Sequence, residues 1–280
     1  MSIVRLSRFP PVFFLLFTSA WPLGATAERP LKATLTESRG DVRVSGANGA
    51  ENPGDWEPAE AGMTLAAGSR VKAGPDGSAD LLFEDGTALH LDKGADMEVA
   101  EAREKAESRV WRLRLLAGRL FSQVAKAARP SDYRVRTPVA VAAVRGTEFV
   151  ADASEDGTDL AVFDGEVQTQ AMDDKGLLGE AVAVKPDQEL SLERGRPAGP
   201  PTAISDAMRN FREGIAAQFR ARIDGYRRDT ARVMRLRAEF MERRRKRIED
   251  SMEQRRRKDA DTMRDFRKNL RRQSPQPPAP

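Results

Sequence analysis

One histidine, no cysteine and 43 carboxylates set the side-chain chemistry open to this 280-residue chain. Without cysteine there is no thiolate nucleophile, no disulfide and no Cys-ligated metal. The one imidazole, His90, lies in Leu89-His90-Leu91, where strand alternation turns it away from the two leucines, towards solvent or a second layer. A general base needs a partner nucleophile or a metal within reach, and no such spacing accompanies His90. The acidic clusters Asp55/Glu57, Glu84/Asp85 and Asp152 to Asp159 lack the spacing of a calcium loop and read as solvated turns. No catalytic, cofactor or metal residue is therefore assigned, and the chain reads as a non-enzyme.

Two basic runs, Arg243 to Arg247 and Arg255 to Lys258, have the residue types that grip polyanions. They are also what one face of a solvated, charged helix looks like. Arg145 is a different case. It interrupts an apolar stretch, where an unpaired charge is costly, so it is expected to be buried on a carboxylate or several carbonyls.

The element that must position Arg145 is the stretch from Tyr133 to Val150. It opens as an alternating strand, with Tyr133 and Val135 on one face and Arg134 and Arg136 on the other. Pro138 removes a backbone donor and pushes Thr137 to an extended conformation. An apolar strand, Val139 to Val144, follows. Gly146 then implies a bulge or a close backbone approach before a second strand, Thr147 to Ala151. Thr137-Pro138 followed by Val144-Arg145-Gly146-Thr147-Glu148-Phe149 resembles the signature of FecR-type domains, β-rich extracytoplasmic modules best known from iron-uptake sigma-factor regulators. The similarity extends from about Ala33 to Gly195: Gly62 to Gly74, Ser78 to Leu91, Leu115 to Phe121, Thr158 to Val167 and Ala183 to Leu192 follow the family's order of strands. The resemblance implies that Thr137, Pro138, Arg145, Gly146, Thr147 and Phe149 form a family signature, read as structural. FecR regulators proper carry an anti-sigma segment and a membrane helix ahead of this domain. Here only a signal-like segment is seen, so a direct grip on a sigma factor is not expected.

That segment, residues 1–27, has Arg5 and Arg8 before a short apolar core and ends in Ala25-Thr26-Ala27. It reads as a cleavable secretory signal, an uncleaved anchor being the alternative. Export argues against nucleic acid as the basic runs' partner, leaving lipid headgroups or anionic envelope polymers. From 33 to 195 short strands alternate with turns. Thr34 to Val44 reads as a first strand pair, and Asp85-Gly86 as a hairpin turn between Ala79 to Glu84 and Thr87 to Leu91. A β-roll or short β-helix-like stack is expected. Residues 196–203 read as a Pro/Gly linker and 273–280 as a disordered Pro-rich tail.

Between them, 204–272 reads as a long amphipathic α-helix, or two hinged near Gly225. Residues 205–272 hold 23 Lys and Arg against 12 Asp and Glu, while 28–204 hold 22 against 31. An acidic body thus carries a basic arm. Apolar residues at Ile204, Met208, Phe211, Ile215, Phe219, Ile223 and Tyr226 share one helical face. That stripe must be covered by the acidic body or by a second copy. The expectation is homo-oligomerisation as a coiled coil, with Phe211, Ile215, Phe219 and Ile223 as seam residues. The sequence as a whole reads as an exported binding, scaffold or sensory module of the cell envelope. The alternative is a periplasmic regulator of transmembrane signalling that acts through a separate membrane partner.

Overall fold

A computed structural model describes residues 28–46, 56–105, 108–126 and 131–273. The signal-like segment and the Pro-rich tail from Ser274 lie outside the described residues. The body is mainly β and a pair of helices follows it. In chain order the strands are β1 (Arg29–Pro30), β2 (Ala33–Arg39), β3 (Val42–Ser45), β4 (Trp56–Pro58), β5 (Thr64–Leu65) and β6 (Arg70–Ala73). Next come β7 (Ser78–Phe83), β8 (Ala88–Leu91), β9 (Asp96–Lys105), β10 (Ser108–Gln123), β11 (Ser131–Arg136) and β12 (Ala140–Val144). The last six are β13 (Glu148–Ala153), β14 (Gly157–Asp164), β15 (Val167–Asp173), β16 (Gly176–Val184), β17 (Gln188–Glu193) and β18 (Thr202–Ala203). Helices α1 (Asp206–Arg228) and α2 (Thr230–Gln273) complete the chain.

Two sheets share one strand. The first runs β4-β3-β6-β9-β10-β11-β12-β15-β16, with β1 paired to β9. The second runs β5-β2-β7-β8-β10-β13-β14-β17-β18. β10 passes from one to the other at Gly118, whose φ is +76° and where a Cβ would stand 2.6 Å from the Cα of Ala95. Only glycine combines that dihedral with so close a backbone. β2 and β3, expected as a pair, fall in different sheets, because the chain turns over at Gly40 (φ +62°). The Asp85-Gly86 hairpin forms as expected, with Leu82 opposite Ala88 and the Thr87 amide donating to Asp85 Oδ1 (2.9 Å).

The main core lies between the sheets. Leu81, Phe83, Leu89, Leu120, Phe149 and Leu160 of the second sheet meet Val71, Met97, Trp111, Leu113, Tyr133 and Val144 of the first. Trp111 packs edge-on to Phe83 at 4.7 Å. Burial pushes the Tyr133 phenol up. The outer faces differ in kind. That of the first sheet is laced with cross-strand ion pairs such as Arg112–Glu101 and Arg114–Glu98. That of the second presents Leu82, Ala88, Phe121, Val150 and Ala161, so both its faces are apolar and the outer one must be covered.

Helix α1 covers it. Ser205 caps α1 by accepting from the Met208 amide, and its own amide donates to Glu189 Oε2 (2.7 Å). The helices part at Asp229, four residues beyond the expected hinge at Gly225. Asp229 Oδ1 accepts from the Arg232 amide (3.1 Å), a carboxylate cap that starts α2. α2 then lies on the body as far as Arg247, which pairs with Glu60 at 2.9 Å. Phe240 is fully buried there beside Gly62. From Arg245 to Asp265 every residue of α2 is exposed. The stretch read as a linker is tied down too: Thr202–Ala203 pair with β17, and Pro197 lies against Gly179.

Candidate functional site

Period-two alternation in β7, β8, β10, β13 and β14 sends one residue of each pair inwards and its neighbour outwards, under α1. The outward set holds the apolar patch and two buried polar groups, Asp80 on β7 and Glu148 on β13. α1 answers both. Met208, Ala216, Phe219 and Ile223 fall on the patch, with Phe219 edge-on to Phe121 at 5.4 Å. Arginines at either edge of the same helical face reach the acids.

Glu148 is the better-served acid. Its carboxylate accepts from Arg212 Nε (2.9 Å), Arg220 Nη2 (2.5 Å) and Gln123 Nε2 (3.1 Å). Burial alone would raise its pKa, but the Arg220 and Arg212 guanidiniums outweigh that and hold it below the usual carboxylate range. Arg212 also lies over the Phe163 ring at 5.1 Å. Asp80 accepts from Arg222 and contacts His90 Nδ1 at 2.6 Å, and Arg222 reaches on to Glu37 (2.7 Å). An Asp–His pair is the arrangement that orients a catalytic base. Here Phe219 stands 6.0 Å from the imidazole and α1 roofs the pair, so its geometry serves docking. Further along, Arg227 Nε donates to the Gly86 carbonyl (2.9 Å), and Arg237 Nε donates to Thr34 Oγ1 (2.8 Å).

The residues of the signature are brought together as a pair of turns. Thr137 Oγ1 accepts from the Ala140 amide (3.0 Å) and from Thr158 Oγ1 (2.8 Å), closing the Thr-Pro turn. Thr147 Oγ1 lies 3.1 Å from both the Arg145 and Glu166 carbonyls, tying this turn to the β14–β15 turn. Gly165, φ +82°, lets Thr147 approach, since a Cβ there would meet its hydroxyl at 2.8 Å. Phe149 is buried in the main core and Pro138 half-buried. Gly146 (φ +60°) sits in a turn, not a strand bulge, and that turn carries Arg145 outwards. The expected burial of Arg145 is therefore corrected: it is exposed and forms no ion pair among the described residues.

The expected seam residues take the other of the two routes open to them. Phe219 and Ile223 are fully buried, and Phe211 and Ile215 partly so, against the sheet of the same chain. Sequence reasoning missed Asp80, Glu148, Arg212, Arg220 and Arg222. Their signal was an acid inside an apolar strand and arginines in register with Phe219. Beside the signature turn, a cleft of about 500 Å³ is lined by Lys126, Gly146, Glu148, Asp164, Arg220 and Arg227, among others. Among the described residues no cluster of three or more His, Asp or Glu side chains is placed to hold a metal. No helix among them is long and apolar enough to cross a membrane.

Comparison with known proteins finds a family model that matches part of the chain. The model of the FecR protein family matches residues 69–168, from the start of β6 to β15. That span holds Asp80, His90, Glu148 and the whole signature, and excludes the helical arm. Two crystal structures of a candidate anti-sigma factor from Parabacteroides distasonis ATCC 8503 are similar at 18% identity. Each alignment covers 48% of this chain and 59% of that one, with a TM-score of 0.39, so this chain spans under two thirds of their length. No curated protein matches the sequence.

Proposed function

We propose that this chain is a non-enzymatic, exported FecR-type module: a β-roll body that holds its own helical arm and serves as a binding, scaffold or sensory unit in the cell envelope. The observation that carries the reading is Glu148. It lies inside the FecR match, within the signature run, and receives two arginines from the arm outside that match. The side chains best suited to chemistry are spent on joining body to arm. Residues 1–27 support export, and the signature residues Thr137, Pro138, Gly146, Thr147 and Phe149 support the fold rather than a reaction. Exposed Arg145, without an ion pair among the described residues, is where the body offers a free charge, beside that cleft.

Photo-crosslinking in cells from a reactive residue placed at Arg145, followed by identification of the product and N-terminal sequencing of the periplasmic form, tests this. An envelope partner on the body and a mature chain beginning near Glu28 are expected. A cytoplasmic protein with an intact N-terminus would overturn the reading. The second reading, a periplasmic regulator of transmembrane signalling, is favoured by the FecR match itself. It requires the crosslinked partner to be a membrane protein of a signalling system.

A further inference from the structure

With the α1 stripe covered by the body, a different apolar surface is left bare. Met234, Met241, Ile248, Met252 and Met263 of α2 are each more than half exposed. At 100° per residue these five fall within about 60° of one another. Val233, Phe240 and Arg247, which face the body, lie about 100° round the helix from them. The bare stripe therefore runs beside the body and on past it.

We propose that this stripe is the seam of an antiparallel homodimer whose two-fold axis passes through Met252. The charges beside the stripe select both occupant and direction. Centred on Met252, an antiparallel copy places Met241 against Met263, Arg245 against Asp259, Glu249 against Arg255, and Ile248 against the methylene stem of Arg256. Each pairing occurs twice by symmetry, as an isologous interface demands. A parallel copy would instead oppose Arg245 to Arg245 and Arg255 to Arg255, a row of like charges. Among the described residues neither Arg255 nor Asp259 has an ion pair within its own chain. In the antiparallel register each gains one. The two bodies then stand at opposite ends of the helix pair.

The absence of cysteine makes register directly measurable. In the full-length protein, Met252→Cys alone should oxidise to a linked dimer. Met241→Cys and Met263→Cys should link when mixed and scarcely when separate. Sedimentation of the unmodified chain should show a dimer that Met252→Asp, which sets two carboxylates against each other on the axis, converts to monomer with unchanged helical content. Self-linking of Met241→Cys or Met263→Cys as efficient as that of Met252→Cys would overturn the register. A monomer at every concentration would overturn the dimer. So would a monomer that co-floats with phosphatidylglycerol vesicles through this stripe, since the occupant would then be an anionic lipid surface.

Discussion

The two ends of the helical arm are built from nearly the same residue types and meet opposite fates. From Asp206 to Arg247 arginines reach Glu148, Asp80, Glu37 and Glu60 on the body. Among the described residues beyond Ile248 the ion pairs are local, such as Arg257 with Glu253 and Arg264 with Asp261. Charge does not separate them. The proximal part carries Phe219, Ile223 and Phe240, which have a matching apolar surface to fill; the distal part offers chiefly methionines and nothing beneath them. Dispersed surface charge is worth a few tenths of a kcal/mol per pair, whereas one buried aromatic is worth several, so apolar fit decides which half docks. Arginines then become specific only where docking has already removed water from the acids they meet.

Breaking the apolar fit should have the largest effect. Phe219→Ala leaves a cavity between Phe121 and His90 and should cost about 3–5 kcal/mol in a denaturant melt. An unchanged midpoint would show that α1 is not held by this patch. Gly62→Ala acts on the start of α2. Its φ is +100°, and a Cβ there would stand 2.4 Å from the Leu236 carbonyl oxygen. A loss of about 1–3 kcal/mol is expected, with faster hydrogen exchange in α2 around Phe240. Glu148→Ala leaves Arg212 and Arg220 facing a half-dry surface without their acceptor. A cost of about 1–3 kcal/mol is expected, and Arg212→Ala in that background should add little.

The same carboxylate predicts a pH dependence. Its folded pKa is depressed, so the docking it supports is fully present above the ordinary glutamate value of 4.5. That support is lost as pH falls through the lower folded value. Melts below pH 4.5 should narrow the gap between wild type and Glu148→Gln. The smallest effect belongs to the free ends of the molecule. Arg257→Ala and Arg145→Ala should each shift stability by no more than about 0.5 kcal/mol. A large loss at Arg145 would mean that it is held by something not evident in its exposed position.

Much of the arm was legible because a helix repeats its pattern locally. The positions of the stripe were read correctly from spacing alone; what covers it was not. The outward residues Leu82, Ala88, Phe121, Val150 and Ala161 come from five strands, and no single strand shows a face large enough to seat a helix. The Asp85-Gly86 hairpin was legible for the same local reason. By contrast β9 and the first half of β10 left little strand signal, being rich in Glu, Arg and Ala. Their charges make sense only once Glu101 lies beside Arg112, and Glu98 beside Arg114, across the sheet. Arg145 misled because its apolar neighbours suggested an unbroken strand pair. One left-handed glycine is enough to turn the chain outwards between them.

β10 has a consequence for how the body is made. It is antiparallel to β8, β9 and β13 and parallel to β11, so its partners arrive from both sides of it along the chain. The parallel ladder sets Arg109 against Ser131, and the antiparallel one sets Gly118 against Ala153. Neither sheet can be completed before these distant segments have met, and closing such loops costs entropy before any contact repays it. Folding of the body should therefore be slow, with no half able to form ahead of the other, and unfolding should proceed in one step with both sheets lost together.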